Sequence, residues 1–346
     1  MKTITLKQDE LLSILKGIKN VKICLIGDIC LDLYWRADMK KSRLSRETPH
    51  YPLPIVDETY TPGAGGNVLN NISALCVNKL TGISAIGSDW RGFLLSGWLQ
   101  EHGIDTSNLF HRETGVTPCY CKPLRMGISD VVYEDPRLDF ENDQPISQAD
   151  EARILRALDM AAQEADIIAV SDQFSCGIIS PQIRQRLSEL SQTVPVVVDS
   201  RERATAFANV IIKPNEVEAA AAVGRNISNL NLSMEEYGQI GVALQKKSGQ
   251  PVVVTLGSLG ALWCEDSTCV LAPTVPAEAP IDIVGAGDTF LSAFCCAYAA
   301  CKDGAKAVAF ANLASAVTVK KIGTTGTASP EEILKKWEEY HIEYPA

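Results

Sequence analysis

The chain has 346 residues, of which 46% are hydrophobic and 21% are charged, and its formal net charge is -10 at pH 7. That length fits one large α/β domain or two smaller ones, and either would contain a sizeable apolar core. The acidic balance disfavours a broad nucleic-acid surface, because phosphate backbones are bound by clustered lysine and arginine.

Apolar strands and amphipathic helices alternate along most of the sequence. A helix is predicted over residues 7–18, followed by a buried strand over 21–28. Similar strands are predicted at Leu80–Ile86, Ile167–Val170, Val194–Asp199, Val210–Lys213 and Pro251–Leu256, and helices at Asn67–Cys76, Arg91–His102, Gln148–Glu164, Pro181–Leu190 and Met234–Lys247. The alternation predicts an α/β fold with a parallel sheet between helices and ligands beyond the carboxyl ends of the strands. No internal repeat is present, so residues 1–346 are expected to form one domain.

Two segments interrupt this alternation, near residues 41–61 and 118–138. The first has several prolines around short extended pieces, and the second alternates apolar and polar residues with period two. Both are interpreted as β-structure outside the main sheet, either a lid over the active-site mouth or a dimer contact. Ordinary surface hairpins are the alternative.

Acidic residues and a glycine-rich loop indicate one side of a ligand crevice. Asp28 and Asp32 follow the first strand, where carboxylates can accept hydrogen bonds from sugar hydroxyls, although Asp28 alone is also typical of a turn cap. A loop-to-helix junction follows at residues 62–67. Its glycines are Gly63, Gly65 and Gly66. They allow close backbone approach, and Asn67 offers a donor and an acceptor to a polyol.

Two later segments indicate a nucleotide side. Asn215 and Glu218 follow a strand and are three residues apart, so they would face the same way and could organise Mg²⁺-bound waters around phosphates. A helix N-terminus with an acidic first turn is the equal alternative. Thr255 and Gly257 stand at a glycine-rich strand exit that suits a nucleotide or, equally, a hairpin turn. Neither the dinucleotide fingerprint nor the P-loop motif is present.

The run of residues 282–290, Asp-Ile-Val-Gly-Ala-Gly-Asp-Thr-Phe, leads into a buried-helix pattern and is the most specific motif. The Gly285-Ala286-Gly287 turn would present unpaired N–H groups and the positive end of the helix dipole to a phosphate. Asp288 follows directly and is placed to act as a general base. An anion site beside a base predicts phosphoryl transfer to a hydroxyl.

Eleven cysteines occur in this long chain, many in apolar segments such as those around Cys24, Cys76, Cys295 and Cys296. Their distribution favours reduced, buried thiols in a cytosolic protein, and no zinc-knuckle spacing is present. The amino terminus lacks a signal-peptide pattern, and no uncharged apolar run reaches about 18 residues. The protein is therefore expected to be cytoplasmic, without a membrane or nucleic-acid partner.

Taken in order, these motifs resemble the PfkB/ribokinase family of carbohydrate kinases over nearly the whole chain. The resemblance implies a ribokinase-like three-layer fold with a small β lid, and ATP and Mg²⁺ as cofactors. The two β segments near 41–61 and 118–138 are expected to form the contact of a homodimer. The resemblance further implies that Asp288 deprotonates the acceptor hydroxyl, that Thr255 and Gly257 contact the nucleotide, and that Asn312 lies on the adenine side. Asp282 and Gly323 would lie near the monovalent-cation site, for example for K⁺, that many members use.

Within the family the likeness is greatest to the kinase part of the D-glycero-D-manno-heptose 7-phosphate kinases. It is carried by residues 27–35, 42–45, 137–141, 171–172 and 310–312. By this resemblance the sugar would meet Asp28, Asp32, Asn67 and Asp172, and Lys122 or Arg125 would meet a phosphate already on the sugar. Those enzymes usually have Pro-Gly-Gly-Ala-Ala-Asn where residues 62–67 read Pro-Gly-Ala-Gly-Gly-Asn.

The sequence leaves alternatives to a sugar or sugar-phosphate kinase. A nucleoside or other small-polyol kinase would use the same scaffold. A catalytically silent sugar-binding regulator is a hypothesis of a different class, and the retained Asp288 argues against it. No nucleotidyltransferase region follows residue 346, so a second, fused activity is not expected.

Overall fold

The computed structural model describes residues 1–127, 129, 131–225, 232–323 and 325–343. Two residues of the predicted 118–138 segment, 128 and 130, lie outside the described residues. In chain order the strands are β1 Lys2–Thr3, β2 Lys22–Gly27, β3 Ile29–Asp38, β4 Ile55–Ala64, β5 Lys79–Ile86, β6 Leu109–His111, β7 Cys119–Met126, β8 Tyr133–Glu134, β9 Leu138–Phe140, β10 Ile167–Asp172, β11 Val196–Ser200, β12 Ile211–Ile212, β13 Val252–Thr255, β14 Ala261–Glu265 and β15 Thr268–Ala272. The helices are α1 Gln8–Ile18, α2 Gly65–Ala74, α3 Trp90–Glu101, α4 Gln148–Ala162, α5 Pro181–Leu190, α6 Glu216–Ala222, α7 Met234–Ser248, α8 Ala286–Cys301, α9 Gly304–Thr318 and α10 Pro330–Glu343.

Ten strands form the main sheet, in the order β1-β15-β14-β13-β12-β11-β10-β2-β5-β6. All neighbours are parallel except β13–β14 and β14–β15, which form antiparallel hairpins. Apolar residues are buried in two clusters, one holding the buried faces of α1, α2, α8 and α9 and the other those of α4, α5 and α7. Because each strand presents alternate side chains to opposite faces, the apolar runs of the central strands supply both clusters. The predicted three-layer α/β fold is confirmed.

A second, smaller sheet has the order β4-β3-β7-β8, with β9 paired to β7 on the same sheet. The predicted segments near 41–61 and 118–138 contribute β4, β7, β8 and β9, but β3, which pairs with both β4 and β7, comes from residues that were not predicted to belong to it. The strand β3 was not separated from β2 because only Asp28 lies between them. One part of this sheet and its loops exposes apolar side chains, namely Leu44, Tyr51, Leu53, Ile55, Val56, Val131, Val132, Tyr133 and Leu138.

Two findings correct the prediction for the cysteines. Cys264 and Cys269 face each other across the β14–β15 hairpin and form a disulfide, with their Cα atoms 4.2 Å apart. Their spacing in the sequence gave no signal, because the register of the hairpin is what places them opposite each other. Cys76 is exposed, just after the end of α2. Cys24, Cys295 and Cys296 are buried and free, as predicted.

None of the described helices is both long and apolar enough to span a membrane.

Candidate active site

Several of the predicted site residues lie around the carboxyl ends of the central strands. Asp28 follows β2, and Asp172 ends β10, next to it in the main sheet. Asn215 and Thr255 form a bridge at the ends of β12 and β13. The small sheet brings Asp32 to the same region, since β3 continues from β2 after one residue. This edge is where ligands of open α/β sheets bind.

The first turn of α8 faces this region. Gly285 caps the helix with φ +78°, and a Cβ built there would lie 2.8 Å from Nδ2 of Asn67, so only glycine fits. A Cβ at Gly287 would meet nothing within 4 Å, so the second position of the helix faces open space. The N–H of Ala286 donates to the carbonyl of Ile283 at 3.1 Å. The turn therefore offers an accessible helix N-terminus, the usual site for an anion.

Asp288 lies in this first turn, and its carboxylate accepts a hydrogen bond from Nδ2 of Asn67 at 2.8 Å. Burial raises the pKa of Asp288 to about 7, against the stabilising effect of the Asn67 hydrogen bond. The nearby charges of Asp199 and Lys213 oppose each other, the first raising and the second lowering this pKa. A carboxylate that titrates near neutral pH has the properties of a general base.

The loop before Asn67 packs tightly against neighbouring backbone and side chains. A Cβ at Gly63 would lie 2.6 Å from Oδ2 of Asp32, and one at Gly65 would lie 2.7 Å from the carbonyl oxygen of Asp28. A Cβ at Gly66 would likewise overlap Pro62 and Ile29. These glycines bring the chain close to the two aspartates. Ala64, between them, has φ +52° and ψ -131°, a conformation that strains any residue with a Cβ.

Asp32 is almost fully buried and forms an ion pair with Lys122, with 3.8 Å between Oδ1 and Nζ. Burial raises the pKa of Asp32, and Lys122 counteracts this. The ammonium group of Lys122 also donates to the hydroxyl of Tyr34 at 3.0 Å. Arg125 is paired with Asp135 at 2.5 Å. The two basic residues predicted to meet a sugar phosphate are thus both paired with carboxylates.

Asp28 and Asp172 are occupied by contacts within the protein. The carboxylate of Asp28 accepts the backbone N–H groups of Gln173, Phe174 and Ile178 at 2.7 to 2.8 Å, and burial raises its pKa to about 6. These contacts favour the turn-capping interpretation of Asp28. Asp172 is held by the guanidinium of Arg203 and the hydroxyl of Ser200 at 2.6 Å.

On the nucleotide side, Asn215 caps α6. Its Oδ1 accepts the N–H groups of Val217 and Glu218 at 2.9 Å, and Oε2 of Glu218 accepts the N–H of Asn215 at 2.9 Å. The alternative interpretation of these residues, a capped helix N-terminus, is therefore observed. The capping box uses only Oε2 of Glu218, so Oε1 takes no part in it. Burial raises the pKa of Glu218. Thr255 ends β13, and Gly257, with φ +54°, begins the hairpin turn to β14.

Three further predicted residues are placed by specific hydrogen bonds. Nδ2 of Asn312 donates to the carbonyl of Ala272 at 2.8 Å, so this side chain fixes the backbone after β15. Oδ2 of Asp282 accepts the N–H of Gly323 at 2.9 Å, which joins the two segments predicted to lie near a monovalent cation. Asn312 itself is almost fully buried.

Two basic residues at this edge were missed from the sequence. Nζ of Lys213 lies 3.0 Å from Asp199; burial lowers the Lys213 pKa, but the Asp199 charge outweighs it, and the net shift is upwards. Burial raises the pKa of Tyr120 to about 12, and the nearby charge of Arg201 counteracts this; Tyr120 pairs with Asp32 in the small sheet. Lys213 could have been found from the sequence, because it stands two residues before Asn215. No sequence pattern indicated Arg201.

Arg201 lines a polar cavity of about 200 Å³ next to the acidic residues described above. The cavity is lined by Glu141, Asp172, Gln173, Phe174, Ser175, Arg201, Glu202 and Arg203. Among the described residues Arg201 forms no ion pair, whereas Arg203 is bound to Asp172.

Comparisons with known proteins show which family and which relatives the chain resembles. A family model described as pfkB family carbohydrate kinase matches residues 22–332. The curated relatives include "Bifunctional protein HldE" of a Nitratiruptor species, 33% identical over 314 residues that cover 90% of this chain, and that of Trichlorobacter lovleyi, 27% identical over 331 residues that cover 93%. The chain spans 64% of the length of each. These matches confirm the resemblance inferred from the motifs.

Similar solved structures support the fold. Arabidopsis thaliana ribokinase complexed with ribose and ATP superposes with a TM-score of 0.69 at 19% identity, covering 92% of this chain and 98% of the ribokinase. Escherichia coli phosphofructokinase-2 in complex with potassium has the same TM-score and identity, covering 93% and 99%. At 19% identity these similarities support the fold alone.

Proposed function

The chain belongs to the pfkB family of carbohydrate kinases, and on that premise we propose that it transfers the γ-phosphoryl group of ATP to a hydroxyl of a sugar or sugar phosphate. As a family member it is a phosphotransferase with an alcohol group as acceptor. The observation that carries the proposal is the position of Asp288 in the open first turn of α8, held by Asn67 at 2.8 Å.

In the proposed reaction Asp288 accepts the proton of the acceptor hydroxyl as the oxygen attacks the γ-phosphorus. A bond forms between that oxygen and phosphorus, the bond to the leaving oxygen of ADP breaks, and the proton stays on Asp288. The N-terminus of α8, through Gly285, Ala286 and Gly287, stabilises the charge on the transferring group. For Ala286 this requires that its N–H leave the carbonyl of Ile283.

We propose that ATP lies across the ends of β12 and β13, beside Asn215, Glu218, Thr255 and Gly257, with Asn312 beneath it. No group of three His, Cys, Asp or Glu side chains within the described ranges forms a direct metal site. That fits Mg²⁺, which usually keeps several waters and binds through one or two carboxylates and the substrate phosphates. Glu218 would contact those waters, and the segment of Asp282 and Gly323 would lie near a monovalent cation such as K⁺.

For the acceptor, Asp32 and Asn67 are the proposed sugar contacts, with Gly63, Gly65 and Gly66 allowing its approach. Asp28 and Asp172 shape the same region through their contacts with backbone and Arg203. If the acceptor already carries a phosphate, as in a heptose 7-phosphate, Arg201 is the best-placed group to bind it, because it has no carboxylate partner among the described residues and lines a polar cavity. To bind that phosphate instead, Lys122 would have to break its ion pair with Asp32, and Arg125 its ion pair with Asp135.

The chain is proposed to act as one domain with the small sheet as its lid. The exposed apolar side chains of that sheet are typical of a contact surface, and a second copy of the chain is the proposed partner. A cytoplasmic location stays a prediction.

The decisive experiment measures ADP release with a panel of free sugars, sugar phosphates, nucleosides and polyols. Turnover of a sugar or sugar phosphate is expected, with Asp288→Asn binding ATP normally but losing nearly all transfer. If the acceptor is phosphorylated, Arg201→Gln should raise its KM about 10- to 100-fold, because a hydrogen bond to a charged group is lost. Turnover of nucleosides alone, or normal turnover by Asp288→Asn, would contradict the proposal.

A further inference from the structure

A continuous chain of hydrogen bonds between side chains links α2 and α8 and ends at the carboxylate of Asp288. Asn67 in α2 donates to Asp288 at 2.8 Å, and one turn further along α2, Asn71 donates to Oδ1 of Asn67 at 3.1 Å. Thr289, the neighbour of Asp288 in α8, donates to Oδ1 of Asn71 at 2.9 Å. Asn67, Asn71 and Thr289 are 0%, 2% and 1% exposed, so the bonds between these three side chains are shielded from water.

The chemistry of the groups fixes the direction of every bond in the set. An ionised carboxylate only accepts, so the amide of Asn67 must turn its NH₂ group to Asp288 and its oxygen to Asn71. Asn71 must then present its own NH₂ group to that oxygen, which it also uses to reach the backbone carbonyl of Asn67 at 2.9 Å. Its oxygen is left facing Thr289, whose hydroxyl must donate.

We propose that Asn71 and Thr289 are positioning residues, which hold the amide of Asn67 with its NH₂ group facing the carboxylate of Asp288. Without the hydroxyl of Thr289, the amide of Asn71 keeps its bond to the backbone carbonyl of Asn67 but loses the bond that holds its oxygen, so its orientation is less firmly set. Asn67 can then turn its oxygen towards position 288, an arrangement that suits a protonated carboxyl and repels an ionised one. The inference rests on the proposed role of Asp288 as the base.

The expected consequence is a change in the pH at which Asp288 loses its proton. The other groups that act on Asp288 are Asp199 and Lys213 from the main sheet and Asp32 from the small sheet, while Cys30 is close enough to be affected by it. None of them belongs to the hydrogen-bonded set, so their effects are the same in a variant of Thr289 or Asn71. Weakening the Asn67 bond removes an influence that lowers the pKa of Asp288. That pKa should therefore rise.

The test is the pH dependence of kcat/KM for Thr289→Val, Asn71→Ala and Thr289→Ser. A base acts when deprotonated, so the acid limb should move to higher pH by about half to one unit in the first two variants. At pH 6 their rates should fall about three- to tenfold relative to the parent, with recovery at high pH. Thr289→Ser keeps the hydroxyl and should keep the parental profile.

Ser292→Ala is the matched control, because it removes another buried hydroxyl between the same helices, one that lies 2.7 Å from the backbone carbonyl oxygen of Asp288 and 3.1 Å from that of Val68 but does not contact the amide of Asn67 or Asn71. Its midpoint should stay unchanged. If Thr289→Val fails to fold, Asn71→Ala tests the same link from the other helix. Equal loss of rate at every pH in both variants would overturn the inference, whereas full activity of Asp288→Asn would instead overturn the role of the base.

Discussion

The partly buried carboxylate of Asp288 should make the stability of the protein depend on pH. In the unfolded chain its pKa is near its ordinary value of 3.8, while in the folded protein burial raises it to about 7. Between these two values the unfolded state releases a proton that the folded state keeps, so the folded state loses stability as the pH rises. Each unit of difference is worth about 1.36 kcal/mol, so ionised Asp288 costs about 4 kcal/mol at pH 8 and about 1 to 2 kcal/mol at pH 5.

Asp288→Asn removes this cost because an amide does not ionise, and its oxygen can still accept the hydrogen bond of Asn67. The variant should be more stable than the parent by several kcal/mol at pH 8 and by much less at pH 5. Urea denaturation of both proteins at the two pH values gives the comparison, and the titration of Asp28 is common to both and cancels. An equal difference at pH 5 and pH 8 would show that Asp288 ionises in the folded protein at its ordinary pKa.

Three further outcomes are expected. Ala64→Gly should stabilise the fold by about 1 kcal/mol in thermal or urea unfolding, because φ +52° strains alanine, whereas Ala152→Gly within α4 should destabilise it by up to about 1 kcal/mol. Asp32→Ala should weaken sugar binding more than ATP binding, and an unchanged sugar affinity in calorimetry would exclude its role. Light scattering should give about twice 37.4 kDa if the small sheet forms a dimer contact, and a monomer would leave only the lid.

Six strands of the main sheet, β2, β5 and β10 to β13, and most of the helices could be predicted because their apolar residues recur with the periods of buried strands and amphipathic helices. The motif at residues 285–288 was informative for a similar reason, since a glycine turn, a helix and an acid in succession constrain one another locally. Cys264 and Cys269 could not be paired in advance, because their contact depends on hairpin register.

Long-range partners limited the prediction of the site itself. Asp28 and Lys122 are identifiable as charged residues at promising positions, but only the fold shows that one holds the backbone of residues 173–178 and that the other neutralises Asp32. Arg201 was missed because its cavity is assembled from segments far apart in the chain. A sequence therefore indicates which residues can do chemistry and leaves open which of them are already engaged.

Two of the connections between the small sheet and the body of the protein lie side by side. One is Asp28, the single residue between β2 and β3, and the other is the junction of β4 with α2, where the N–H of Gly65 donates to the carbonyl of Asp28 at 2.7 Å. Because a hydrogen bond holds these two connections together, they form a single hinge about which the small sheet would tilt. If the small sheet tilted there, Asp32 would move with it while Asn67 stayed with α2, and the distance between the two proposed sugar contacts would change.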